Sequence, residues 1–180
     1  MLSNRNFSLE HVAEARRQHR PHLVRQVTEH TRRPNADPRL TLTITTCKRR
    51  ELFERTIDSF LLCCEDRLVI DRWVCIDDGS SAEDLDAMRA RYPFFEFITK
   101  APNERGHAHS MNRLLREVST PYWLHLEDDW DFLTIGHFVQ QATHVLDHDP
   151  ALLQVVINRN YAETTAQKLV GGVLTRTGDG

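Results

Sequence analysis

Tyr122–Trp130 reads YWLHLEDDW. Tyr122, Trp123, Leu124 and Leu126 form a short apolar run that ends abruptly in Glu127, Asp128 and Asp129. Such a run predicts a buried strand that delivers carboxylates to one edge of its sheet. Strand alternation puts Glu127 and Asp129 on one face, with His125, and Asp128 on the other. Like charges about 5 Å apart, at an effective dielectric near 20, repel by roughly 3 kcal/mol. Water, a proton or a cation must relieve that repulsion, and a hard divalent ion such as Mg2+ or Mn2+ prefers carboxylate oxygens. A competing reading is a solvated acidic turn, with Asp131 opening the next helix.

The preceding segments give the triplet a setting. Leu40, Leu42 and Ile44 alternate with Thr41, Thr43 and Thr45 as in a strand. Thr46-Cys47-Lys48-Arg49-Arg50 follows, then a helical face of Phe53, Ile57, Phe60, Leu61 and Cys64. A strand, a loop and a helix N-terminus present backbone N–H groups to phosphate, and three cations here add positive charge. Arg72–Ile76 is a second strand, ending in Asp77-Asp78-Gly79-Ser80. Those aspartates stand where open α/β sheets bind ligands; equally, one of them caps the next helix, as do Ser80 or Ser81 with Glu83 or Asp84. Phe94–Thr99 is a third strand, and Ala108, Met111, Leu115 and Val118 a further helical stripe with Asn112 on its polar side. His107 and His109 diverge on a helix and are not expected to form a metal pair. Phe138, Ala142, Val145 and Leu146 mark a helix stopped by Pro150, and Leu152–Ile157 a fifth strand.

The order β-α-β-α-β-α-β-α-β predicts an α/β domain with a mostly parallel sheet flanked by helices. In a parallel sheet the basic loop, the Asp77-Asp78 pair and the acidic triplet fall on the same edge, and that convergence is more informative than any one motif.

Composition sets the frame. The 180 residues are 40% hydrophobic and 27% charged, which describes a globular chain of one-domain size. A net charge of -3 argues against bulk nucleic-acid affinity. Residues 1–40 hold eight Arg against four acids, whereas the remainder holds 15 Lys or Arg against 22 acids. Residues 1–38 are accordingly expected to form a basic arm and linker, in two amphipathic helical pieces broken at Pro21, packed on the domain or frayed from it, with a partner- or membrane-surface role as the lesser alternative for its arginines. Cys47, Cys63, Cys64 and Cys75 contain no C-x-x-C pair and lie in or beside apolar elements, as expected of buried free thiols in a reducing, cytoplasmic compartment. No stretch approaches the roughly 20 apolar residues of a membrane span.

Four segments, TTCKRRELFERTIDSF, IDDGSSAEDL, NERGHAHSMNRLL and LEDDW, together resemble the nucleotide-sugar glycosyltransferases of the GT-A fold, family 2 type, over about residues 40–160. The resemblance implies a Rossmann-like catalytic domain over 39–180, transferring a sugar from a UDP- or GDP-type donor to an unknown acceptor hydroxyl. It places Thr46, Arg49, Asp77, Asp78, Asn112, Glu127 and Asp128 around the nucleotide sugar. Asp129 and Glu127, standing in the D-x-D position, would hold Mn2+ or Mg2+. It implies inversion at the anomeric carbon. The catalytic base of such enzymes lies C-terminal to this region; Glu163 is a candidate by position alone, and the chain is expected to be short in its acceptor half. A sugar-phosphate nucleotidyltransferase would show a Gly-rich stretch after the first strand, whose glycines TTCKRR lacks. A non-catalytic or truncated nucleotide-sugar-binding module is the other alternative.

Overall fold

The computed structural model describes residues 9–33 and 35–157, which divide after His137 into two compact units. Glu163 and the glycine-containing tail lie outside the described residues.

The first unit holds α1 (Leu9–Thr31), β1 (Leu40–Thr46), α2 (Arg50–Cys63), β2 (Arg72–Asp77), α3 (Ala82–Arg91), β3 (Phe95–Thr99), α4 (His107–Glu117) and β4 (Tyr122–Glu127). The four strands make one sheet in the order β3-β2-β1-β4, every pair parallel. The α/β class expected from the alternation is the class observed.

Residue pairing explains why β1 is central. Thr43 stands opposite Val74 and His125, and Ile44 opposite Cys75 and Leu126. All seven β1 residues are buried, because both sheet faces are covered there. On one face, Phe53 and Phe60 of α2 and Tyr92 beyond α3 meet Trp73, Phe95 and Phe97 in a chain of tilted and edge-on ring contacts 5.5–6.1 Å apart. Phe53, Phe60 and Tyr92 are fully buried, and each such side chain stabilises the fold by about 1.5–3 kcal/mol. On the other face, Leu114 and Met111 of α4 pack against Val74, Ile76, Ile98 and Trp123. The β1 threonines on this face are used as partners: Thr43 Oγ1 accepts from the Trp123 indole at 2.6 Å and pairs with His125 Nδ1 at 2.8 Å.

The basic arm departs from expectation. Instead of two pieces broken at Pro21, α1 runs continuously through that proline. Pro21 is exposed, while Leu23 and Val27 are buried and Gln26 accepts from Arg67 at 2.8 Å. Packing of this half, and of the helix along α2, outweighs the backbone hydrogen bond that a proline deletes.

In the second unit, α5 (Phe138–His148) appears as expected, ahead of Pro150. Leu152–Ile157 is not a strand. Leu153 and Val156 are 95% and 71% exposed, so no ladder or core receives them, and an apolar run becomes a strand only where it finds such a partner.

Among the described residues, no helix is long and apolar enough to cross a membrane.

Candidate functional site

Parallel pairing brings three strand ends to one rim. Thr46, the last residue of β1, is registered with Asp77, the last of β2, and Thr45 with Glu127, the last of β4. The β1–α2 loop, the turn after β2 and the turn after β4 therefore adjoin, as the strand order required.

Their side chains are not equivalent. Asp77 is 2% exposed and folds back on its own turn, accepting from Gly79 N–H at 3.2 Å and Ser80 N–H at 3.0 Å. Asp78 accepts from Gly106 N–H at 2.7 Å and pairs with Lys100 Nζ at 3.0 Å. The Lys100 side chain is 4% exposed and also donates to Ser110 Oγ at 2.7 Å. Burial by itself would raise the Asp78 carboxyl, but the Gly106 amide and the Lys100 ammonium outweigh it and hold the pKa below the ordinary value. Helix α3 is capped by Ser81, whose Oγ accepts from Asp84 N–H at 3.1 Å.

The turn needs its glycine. Gly79 has φ +97°, and a Cβ there would stand 2.9 Å from the Arg105 guanidinium. Lys48, across the rim, also has a positive φ, +56°, and its N–H donates to Ser80 Oγ at 3.0 Å. Cys47 Sγ contacts the Asp78 carbonyl at 3.2 Å. The β1–α2 loop is thus tied to the β2 turn on one side.

On its other side it is tied to β4. Strand geometry ends at Glu127, so the alternation expected through Asp129 stops two residues early, and Asp128 and Asp129 belong to the turn. Asp128 is fully buried: Thr46 Oγ1 donates to it at 2.8 Å, and Arg49 Nη2 meets its other oxygen at 2.5 Å. Burial is the chief influence on this carboxyl and raises its pKa, against the Thr46 hydroxyl and Arg49. Asp129 and Glu127 stay open, with side chains 51% and 37% exposed. Asp129 lies 3.6 Å from Arg49 Nη1. Glu127 accepts from Thr45 Oγ1 at 3.2 Å and faces His125 Nε2 at 3.4 Å. Burial holds the His125 imidazole below its ordinary pKa.

Thr46, Arg49, Asp77, Asp78, Glu127, Asp128 and Asp129 therefore gather at one rim, while Asn112 is exposed on α4. Thr46, Asp77 and Asp128 face inward and hold loops together; Lys48, Arg49, Glu127 and Asp129 face out. Lys100 carries no expectation from the sequence, and Arg105 enters it only as a loop residue of the NERGHAHSMNRLL segment. The signal for Lys100 is its place directly after β3, at the edge where the acids stand. Cys47 is exposed, unlike the other three cysteines, because it lies in the loop and not on β1.

Among the described residues, no group of three or more His, Cys, Asp or Glu is arranged to hold a metal. Two open carboxylates at one strand end nevertheless suit a cation whose other positions are filled by water and substrate phosphate, the usual arrangement for Mg2+.

No family model matches the chain, and no curated protein does. A similar solved structure is the mannosyltransferase PcManGT from Pyrobaculum calidifontis in complex with GDP-Man and Mn2+, with a TM-score of 0.43 and 18% identity over 66% of this chain. The match covers 37% of that protein, so this chain spans little more than a third of its length.

Proposed function

We propose that this rim binds a nucleoside-diphosphate sugar and that the protein is a metal-dependent glycosyltransferase of GT-A type. The carrying observation is the split within the acidic turn. Asp128 is buried and neutralised, while Glu127 and Asp129 stand open beside the exposed cations of the β1–α2 loop. Glu127 and Asp129 keep only long contacts, to Thr45, His125 and Arg49, which leaves carboxylate lone pairs available to a cation.

In this reading the diphosphate lies against Lys48, Arg49 and the N-terminus of α2, where backbone N–H groups and positive charge coincide. Glu127 and Asp129 hold Mn2+ or Mg2+. A divalent ion there supplies neutralisation of the charge that develops on a leaving nucleoside diphosphate. The Asp77–Asp78 turn, braced by Lys100 and Gly106, forms a rigid wall for base and ribose. Asn112, exposed on α4, contributes to the sugar side. A carboxylate base would activate the acceptor hydroxyl, and attack from the opposite face would invert the anomeric centre.

The test is thermal unfolding with UDP, GDP and other nucleoside diphosphates, with and without Mn2+. A ligand at 100 times its Kd stabilises by about 2.7 kcal/mol. The expected result is a metal-dependent rise with UDP or GDP that Asp129→Ala removes. The absence of a shift with every nucleotide would overturn the reading. Binding without donor hydrolysis or transfer would reduce it to a nucleotide-sugar-binding module.

A further inference from the structure

Arg49 sits between two carboxylates of unequal standing. It immediately precedes α2 and contributes no side-chain cap to that helix. Its guanidinium, on a side chain 46% exposed, meets Asp128 Oδ1 at 2.5 Å on the buried side and approaches Asp129 Oδ2 only to 3.6 Å on the open side. The second Asp128 oxygen is held by Thr46, so that carboxylate cannot follow the guanidinium outward. One end of the planar fork is therefore anchored, and the other offers loose charge compensation to Asp129.

We propose that Arg49 is an internal counter-ion of the acidic turn, which a nucleoside diphosphate draws away from Asp129, so that nucleotide and divalent cation bind cooperatively through this one side chain. The inference rests on the donor-site reading above. A divalent ion arriving alone at Asp129 meets a guanidinium a few ångströms away and is repelled by it. A diphosphate offers that guanidinium a doubly accepting anion in exchange for the long Asp129 contact. The carboxylate is then free for the cation. Coupling of this kind is reciprocal: the cation strengthens diphosphate binding by the same factor as the diphosphate strengthens cation binding. The anchored Asp128 contact keeps the guanidinium at the rim in both states.

The test reads Mn2+ binding directly, by electron paramagnetic resonance of free Mn2+, with and without GDP or UDP. Arg49→Gln removes the resident charge. Mn2+ without nucleotide is expected to bind this variant tighter than wild type, by roughly two- to fivefold, the worth of one exposed charge contact. The ratio of Mn2+ affinities with and without nucleotide is expected to fall. Unchanged or weaker binding of Mn2+ alone to Arg49→Gln, in a protein shown to be folded by circular dichroism, overturns the proposal. Should that variant not fold, Arg49→Lys serves instead. Its single ammonium cannot span both carboxylates, so Mn2+ alone is expected to bind tighter by a smaller factor, and an unchanged affinity is equally fatal. If wild type binds no Mn2+ even with nucleotide, or Asp129→Asn binds it undiminished, the donor-site reading itself falls and the exchange with it.

Discussion

The turn after β2 carries Asp77 and Asp78; the turn after β4 carries Glu127, Asp128 and Asp129. Both close parallel strands that flank β1, and the sequence offers each a ligand-binding reading beside a structural one. In the first, both carboxylates are committed to amides or to the buried Lys100. In the second, Asp128 is committed inside the fold, while Glu127 and Asp129 keep longer contacts, to Thr45, His125 and Arg49, and stay accessible to solvent. Charge at a strand end therefore does not decide how accessible it stays. What distinguishes the two turns is how completely the protein's own donors satisfy each carboxylate.

Substitutions can break that comparison or sharpen it. The largest effect is expected for Asp78→Ala, which strands the nearly inaccessible Lys100 without its anion. The loss, read by urea unfolding, should be about 3–5 kcal/mol. The same group sets a pH dependence. Because the folded pKa of Asp78 is depressed, its contribution is complete above the unfolded carboxylate value of about 3.9 and is lost as pH falls through the lower folded value. Wild-type stability should therefore drop more steeply on acidification below about pH 4 than that of Asp78→Asn, and parallel profiles would refute the assignment.

Asp128→Ala comes next, at about 2–3 kcal/mol. It orphans the buried Thr46 hydroxyl, but Arg49 is nearly half exposed and can turn to water, which discounts the ion-pair part. A loss as large as that of Asp78→Ala would mean that the two turns are equally braced. Ser81→Ala deletes the α3 cap and should cost about 1 kcal/mol, leaving Mn2+ affinity untouched. The smallest stability change belongs to Asp129→Asn. Its carboxylate is half exposed with one long contact, so unfolding should move by less than about 0.5 kcal/mol while metal binding is lost. A residue that matters to the ligand and hardly to the fold is the opposite of Asp78, and finding them alike would erase the distinction.

Much of this molecule was legible without coordinates. Apolar alternation and the spacing of helical stripes are local properties, and so are strand ends marked by acid or glycine. Hence the parallel α/β order, the meeting of Thr46, Asp77 and Glu127 at one rim, and the capped start of α3 could all be read from residues in line. Tertiary structure alone decided which carboxylates remain open. Whether Asp78 or Asp129 faces water depends on Lys100 and Arg49, donors 22 and 80 positions away in the chain, placed by strand register. It also decided that α1 continues through Pro21 and that Leu152–Ile157 is no strand, because in both places the outcome turned on contacts with another part of the chain. Periodicity along a sequence reports what a segment can bury; satisfaction of a charge is settled through space, where no local pattern records the partner.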